Sequence, residues 1–362
     1  MTYFFELLRY SIGSQHEVMD APSEEDWEGI HQIAKKQALI GLLYTGIKKL
    51  PKEKMPPKKL LLRWYMESEQ IRKYNENYNA VAVYVREMFE TVGIDNCILK
   101  GQGNALMYEN LFSRIPGDID IWINPTKAVV EGGKLVVGDH LLRVDKVTYR
   151  HIEIEKIKGV PVEVHVRPSF MNNLIHNARL QKWFEEQAPQ QFSHSVDLPG
   201  EVGVIHTPTI AFNVIYQLCH ITNHFFYEGI GLRQFVDYYY VLQEAKSVID
   251  VFEIRKLLQK FGLFQMAGAV MYVEKELLGI AENCLIVPVD VIRGKFMLNE
   301  IMLSGNFGHY DRRVGNFSRR KALGRNLERL HRDFRLMWLF PSECIWEPVF
   351  RLYHYWWRVM HS

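Results

Sequence analysis

Arg114-Ile115-Pro116-Gly117-Asp118-Ile119-Asp120-Ile121-Trp122-Ile123 is the stretch on which the fold turns. Its acids and isoleucines alternate, the period of two that marks a strand with one face against a core. If residues 118–123 form that strand, Asp118 and Asp120 share one face and Ile119 and Ile121 point into the core from the other. Two adjacent carboxylates repel, and one pKa rises unless a cation sits between them. Hard divalent cations favour oxygen donors, usually one or two carboxylates plus substrate phosphates. The pair is therefore a chemically sensible metal platform. Alone, an Asp-x-Asp at a strand mouth is more often a solvated turn or a cap arrangement.

Three neighbours bear on that choice. Upstream, the apolar run Cys97-Ile98-Leu99 closes in Lys100-Gly101-Gln102-Gly103. Glycines between a strand and a helix let the backbone approach a ligand, and free N–H groups at a helix start attract phosphate; a plain strand-to-helix turn would look the same. Downstream, Val162-Glu163-Val164-His165-Val166 places Glu163 and His165 on one face of an alternating strand and the valines on the other. Any half-solvated sheet face gives that pattern too. Arg114 stands just before the acids, where a guanidinium can reach phosphate oxygens or pair with Asp118 or Asp120.

Around this centre the chain reads in three parts: a helical stretch over 1–93, a small α/β core over 94–205, and a helical stretch over 206–362. Ser23 followed by Glu24, Glu25 and Asp26 predicts a capped helix start. Ile71, Tyr74, Tyr78, Val81, Val85 and Met88 recur at three- and four-residue intervals, the buried stripe of a long helix that Gly93 ends. Asn124-Pro125-Thr126 predicts a turn and then a helix over 127–138, weakened by about 1 kcal/mol at each of Gly132 and Gly133. Tyr149–Ile157 and Val160–Val166, separated by Lys158-Gly159, read as a hairpin. Thr207-Pro208 predicts a helix cap followed by proline at the first helical position, and Asp250 a later cap. The fold class is thus α+β: a small mixed sheet flanked by helices.

The ordered elements Leu99-Lys100-Gly101, Tyr108, Arg114, Gly117-Asp118-Ile119-Asp120-Ile121 and Glu163-Val164-His165 resemble uncharacterised bacterial nucleotidyltransferases of the NTP-transferase-5 type, within the polymerase-β-like superfamily. The resemblance is tightest over about 94–168 and extends loosely to about 240, through Gly231-Leu232-Arg233-Gln234-Phe235-Val236-Asp237. It implies an enzyme in which Asp118, Asp120 and Glu163 hold Mg²⁺, with Mn²⁺ as an alternative. Gly101 and Gly103 would accommodate an NTP's triphosphate, and Lys100, Arg114, His165, Arg233 and Asp237 would line the substrate site. The acceptor, whether small molecule, RNA or protein, is not named by the sequence. One departure stands out: superfamily members usually carry Gly-Ser where this chain has Gly101-Gln102-Gly103. A nucleotide-binding or toxin–antitoxin-like interaction protein with little turnover is therefore the alternative.

Two other features compete for a role. His220 and His224 sit four apart on an expected helix, a metal-ligand spacing, but no HExxH is present, and packing among Phe225, Phe226 and Tyr227 is the plainer account. Arg233 and Asp237, also four apart, form either a helix-surface ion pair or part of the cleft. The segment 312–335 holds eight arginines and Lys321. It reads as an amphipathic helix with Leu323, Leu327, Leu330 and Phe334 buried, and with RNA or anionic-lipid contact as the minority reading.

Composition bounds the rest. The net charge of +2 over 362 residues gives no global field for nucleic acid. Four scattered cysteines without a CxxC pair exclude a zinc ribbon and a disulfide framework. Neither a signal peptide nor a membrane span is expected, which predicts a cytoplasmic protein.

Overall fold

The computed structural model describes residues 2–17, 20–124, 129–304 and 332–361. Three helices open the chain, α1 (Thr2–Ser11), α2 (Glu24–Lys36) and α3 (Ile40–Ile47), before the 33-residue α4 (Lys58–Glu90). Ser23 caps α2 as expected: its Oγ accepts from Asp26 N–H at 3.2 Å, and Asp26 returns the bond to the Ser23 backbone. At about 1.5 Å per residue, α4 is some 50 Å long and serves two cores. Its first half buries Leu60, Trp64 and Ile71 among the helices, while Val81, Val85, Met88 and Phe89 cover the sheet. Tyr74, expected in the buried stripe, is half exposed, and Asn75 and Asn79 are buried there instead. Their amides reach loop carbonyls and a glutamine, a polar task that hydrophobic periodicity does not register.

The main sheet contains β1 (Asn96–Ile98), β2 (Ile119–Ile123), β3 (Val129–Glu131), β4 (Lys134–Val137), β5 (His140–Val147), β6 (His151–Ile157) and β7 (Val160–His165). Its order is β1-β2-β7-β6-β5-β4-β3, and it is antiparallel except where β2 runs parallel to β7. The expected 127–138 helix is absent among the described residues: from Val129 onward the chain forms the β3–β4 hairpin. Gly132 and Gly133, at φ +56° and +74°, are the two turn residues of that hairpin rather than weak points in a helix. The β6–β7 hairpin follows expectation, with Lys158 and Gly159 at φ +49° and +82°.

Beyond the short α5 (Gln102–Ala105), the helices α6 (Leu174–Ser193), α7 (Ile210–Tyr227), α8 (Leu232–Ala245), α9 (Val251–Lys260), α10 (Phe264–Leu278), α11 (Val291–Ser304) and α12 (Pro341–His361) complete the fold. A two-stranded ribbon, β8 (Ser195–Leu198) and β9 (Gly203–His206), lies between α6 and α7. The cap of α7 is Thr209, not Thr207, because Thr209 and Pro208 continue the extended entry before the first helical turn. Asp250 caps α9, accepting from Phe252 N–H at 2.8 Å.

Of the arginine-rich stretch, residues through 331 lie outside the described region, including Leu323, Leu327 and Leu330. Phe334, expected to be buried, is 68% exposed, and Arg335 instead turns inward to Glu300 at 2.9 Å. All four cysteines are free and buried. No described helix is long and apolar enough to cross a membrane.

Candidate functional site

Alternation along β2 sorts its side chains between the two cores. Ile119, Ile121 and Ile123 join the cluster under α4, whereas Trp122 packs with Phe184, Phe192 and Phe212 on the opposite face. Asp120 shares that opposite face with Trp122 and is 1% exposed. Asp118, just before the strand, is half-buried at its mouth. Parallel pairing places Asp120 directly beside Glu163 and Trp122 beside His165. One carboxylate oxygen from each of Asp118, Asp120 and Glu163 lies within 4.8 Å of the other two.

Three acids this close need positive charge, and the chain supplies it. Lys100, two residues past β1, sets its Nζ 2.9 Å from Asp120 Oδ2 and 3.4 Å from Asp118 Oδ1. His165 Nε2 lies 2.7 Å from Asp120 Oδ1 and 3.4 Å from Glu163 Oε2. Burial by itself would raise the Asp120 pKa, but the charge of Lys100 and the hydrogen bond from His165 outweigh it and hold the carboxyl well below the usual range. Glu163 follows the same logic: burial raises it, the His165 hydrogen bond lowers it, and it comes to about 2. Burial also opposes the charges on Lys100 and His165, and their acidic neighbours raise both pKa values nonetheless.

The glycine turn lies next to this cluster. Gly101 has φ +74° and ψ −99°, a conformation that residues with a Cβ rarely adopt, and its nearest foreign atoms are Asp118 O and Arg114 Nη1. Gln102 does not face the acids; it is buried and donates to Asn79 Oδ1 on α4 at 2.6 Å. Gly103 packs so tightly on Thr207 that a Cβ would meet its Cγ2 at 2.7 Å.

Arg114 pairs with neither Asp118 nor Asp120. Its guanidinium makes a two-bonded contact with Asp237 on α8, and Tyr108 Oη donates to the same carboxylate at 2.7 Å. Arg233, one turn earlier on α8, donates to the Ile115 carbonyl at 2.9 Å. Burial, and then the charge of Arg114, bring the Arg233 pKa down to about 10. Arg233 and Asp237 are both buried, so neither belongs to a helix-surface ion pair. From the other side, Asn75 donates to the Arg114 carbonyl at 2.8 Å and Tyr78 to the Gly117 carbonyl at 2.7 Å. The loop that delivers the acids is thus clamped between α4 and α8.

Several residues around the cluster were not singled out from sequence. Arg150 Nη2 lies 3.7 Å and His151 Nδ1 3.3 Å from Glu163 Oε2. Burial, with the neighbouring charge of Arg150, holds His151 at about 4. The hairpin turn alone would set Val166 opposite His151; a register shift between Ile154 and Ile157 brings His151 opposite His165 and Glu153 opposite Glu163, and no local signal in the chain announces that shift. Helix α7 closes the opposite side, where His220 and His224 are buried with ring centroids 4.3 Å apart. Burial, and then the charge of Lys100, drive the His220 pKa well below normal. Glu228 Oε2 receives the His224 Nδ1 contact at 3.0 Å. Beyond Arg150 and His151 a cleft of about 1010 Å³ opens, walled by Tyr149, Phe170, Tyr227 and residues of α12 including Phe350 and Tyr355.

A sequence model described as uncharacterised nucleotidyltransferase matches residues 23–279, over two-thirds of the chain. The chain belongs to this family. No curated protein and no solved structure matched. The matched span runs from α2 to the end of α10 and so takes in α4 and α8 along with the three acids. It is a transferase by family.

Proposed function

We propose that this chain is a metal-dependent nucleotidyltransferase of the polymerase-β-like type, moving an NMP from an NTP to an acceptor hydroxyl or phosphate with release of pyrophosphate. The reading is carried by one observation: Asp120 and Glu163 on two parallel strands, and Asp118 at the mouth of the first, bring carboxylate oxygens within 4.8 Å of one another. The donor set fits Mg²⁺, or Mn²⁺, since all three ligands are oxygens and Lys100 already stands between two of them as a cation. Asp118, Asp120 and Glu163 would hold the metal, which when bound stabilises the attacking and leaving oxygens of an in-line displacement.

The chain's own groups supply the rest. The acceptor oxygen bonds to the α-phosphorus as the bond to the pyrophosphate oxygen breaks, and a hydroxyl acceptor's proton leaves to Glu163 or to water, Glu163 in the latter case only holding the metal. Gly101 and Gly103 let the triphosphate approach the backbone. Lys100, released from the acids, neutralises charge on the departing pyrophosphate. Arg114, Arg233 and Asp237 act by holding the loop that carries Asp118. The cleft beside Glu163 receives the acceptor. The chain's four buried thiols suit a reducing cytoplasm.

Gln102 favours a second reading. Gln102 stands where superfamily members usually carry serine, and its side chain is committed to Asn79, which suits a nucleotide-binding interaction protein. Incubation with labelled NTPs and Mg²⁺ or Mn²⁺ separates the two. Pyrophosphate release or self-labelling that is lost in Asp120→Asn supports transfer; nucleotide binding without either supports the alternative.

A further inference from the structure

Glu163 belongs to two clusters. On one side it faces Asp118 and Asp120; on the other it meets His151 and His165, with one donor atom from each of these three also within 4.8 Å of the others. The second set is chemically different, because two imidazole nitrogens and one carboxylate favour borderline ions over Mg²⁺.

We infer that His151, His165 and Glu163 form a metal seat for a borderline divalent ion, of which Zn²⁺ is the probe, sharing Glu163 with the all-carboxylate site but differing from it in its two imidazole donors. Three features of the geometry argue for it. First, Glu163 Oε2 is 3.3 Å from His151 Nδ1 and 3.4 Å from His165 Nε2. Zinc bonds of about 2.0–2.1 Å at tetrahedral angles space their ligands by about 3.3–3.4 Å. Second, both rings are held by partners on their other nitrogens. His165 Nδ1 is 3.2 Å from the Arg167 carbonyl, and His151 Nε2 is 3.3 Å from Glu153 Oε1. Such outer contacts fix the tautomer and aim the remaining nitrogen at a metal. Third, Arg150 Nε donates to His151 Nδ1 at 3.0 Å, so that nitrogen carries a lone pair.

Binding rearranges little. Arg150, one-fifth exposed, swings into the adjoining cleft. The ion replaces the Nε2 proton that His165 shares with Asp120, and water fills the fourth position, as in open zinc sites. The inference is independent of the transfer reading, since it concerns metal affinity in the absence of nucleotide.

The test is Zn²⁺ titration of the chelator-stripped full chain against a chromophoric competitor, with Co²⁺ absorption as the geometric readout. One Zn²⁺ should bind per chain, resist a large excess of Mg²⁺, and give with Co²⁺ the intense visible bands of a tetrahedral site. His151→Gln should weaken Zn²⁺ binding at least as much as the roughly 10–100-fold expected for loss of an outer partner, and Glu153→Gln by about 10-fold. Asp118→Asn, altering only the other cluster, should lose far less. No bound Zn²⁺, full displacement by Mg²⁺, unchanged affinity in His151→Gln, or weak octahedral Co²⁺ bands would each overturn the seat. The wild-type Co²⁺ spectrum decides even if a variant fails to fold. Absence of nucleotidyl transfer, by contrast, would leave the metal result standing.

Discussion

Arg114 and Asp237, 123 residues apart in sequence, meet through paired hydrogen bonds of 2.8 and 2.7 Å with both side chains about 5% exposed or less. The contact joins the loop before β2 to the middle of α8, so the position of Asp118 depends on a helix that enters the chain much later. Burial raises the Asp237 pKa, but the Arg114 charge outweighs it and keeps the carboxyl ionised.

Removing one partner of this pair strands the other. Asp237→Ala should cost about 3–5 kcal/mol, the usual penalty for an uncompensated buried charge. Urea unfolding measures it. The double variant Arg114→Met/Asp237→Leu should recover much of that loss, because apolar replacements of similar volume dispense with both desolvation costs. If the double variant were as unstable as the single one, the pair would matter for shape rather than charge.

Gly101 offers a different kind of test. Its backbone at φ +74° and ψ −99° penalises any Cβ, while the nearest foreign atoms lie at 3.8 Å or beyond. Gly101→Ala should therefore cost about 1–3 kcal/mol through backbone strain alone. If the turn receives a triphosphate, the variant should also lose Mg-NTP affinity by more than its stability loss implies. Calorimetric titration of the folded variant checks this, and unchanged affinity would remove the turn from the binding site.

The sequence discloses β2, β6, β7 and the caps of α2 and α9 because each rests on local chemistry: alternation, a two-residue turn, a side-chain oxygen at a helix start. It misplaces β3 and β4 because the glycine pair that weakens a helix serves a hairpin equally well. The acids of the centre are legible for the same local reason, as are Lys100 and His165. What Arg114 touches is not, since Asp237 is chosen by how α8 packs, and no spacing in the chain encodes that. His151 falls between these cases: its strand is readable, but the turn alone would pair it with Val166, and only the register shift between Ile154 and Ile157 sets it opposite His165.

Stability should depend on pH through the base of α12. Burial raises Glu343 to about 7, although its Oε2 accepts the Asn172 N–H at 2.8 Å. Burial, and then the charge of Glu347, bring Asp333 to about 7 as well. A carboxyl whose folded pKa exceeds its unfolded value binds protons more tightly when folded. Its stabilisation is thus complete below about pH 4.5 and is lost as pH rises to 7. Glu343→Gln keeps the acceptor and should flatten that decline, gaining on the order of 2–3 kcal/mol at pH 8. Adding Asp333→Asn should flatten it further. Thermal melts across pH 4–8 would show an unchanged slope if these groups were not responsible.

The last test asks whether Lys100 stands where a metal belongs. Its ammonium lies within 3.4 Å of both Asp118 and Asp120, so it and a divalent ion compete for the same carboxylates. Lys100→Met removes the competitor and leaves the acids facing one another, so the variant should melt lower than wild type in chelator. Added Mg²⁺ should then raise its melting temperature more than it raises that of wild type, because the ion no longer displaces a bound cation. A ligand at 100 times its dissociation constant stabilises by about 2.7 kcal/mol, well within the reach of scanning calorimetry. Asp118→Asn in the same background should abolish the Mg²⁺ response. Equal Mg²⁺ shifts in wild type and Lys100→Met would mean that lysine and metal occupy different ground, and the three acids would need another explanation.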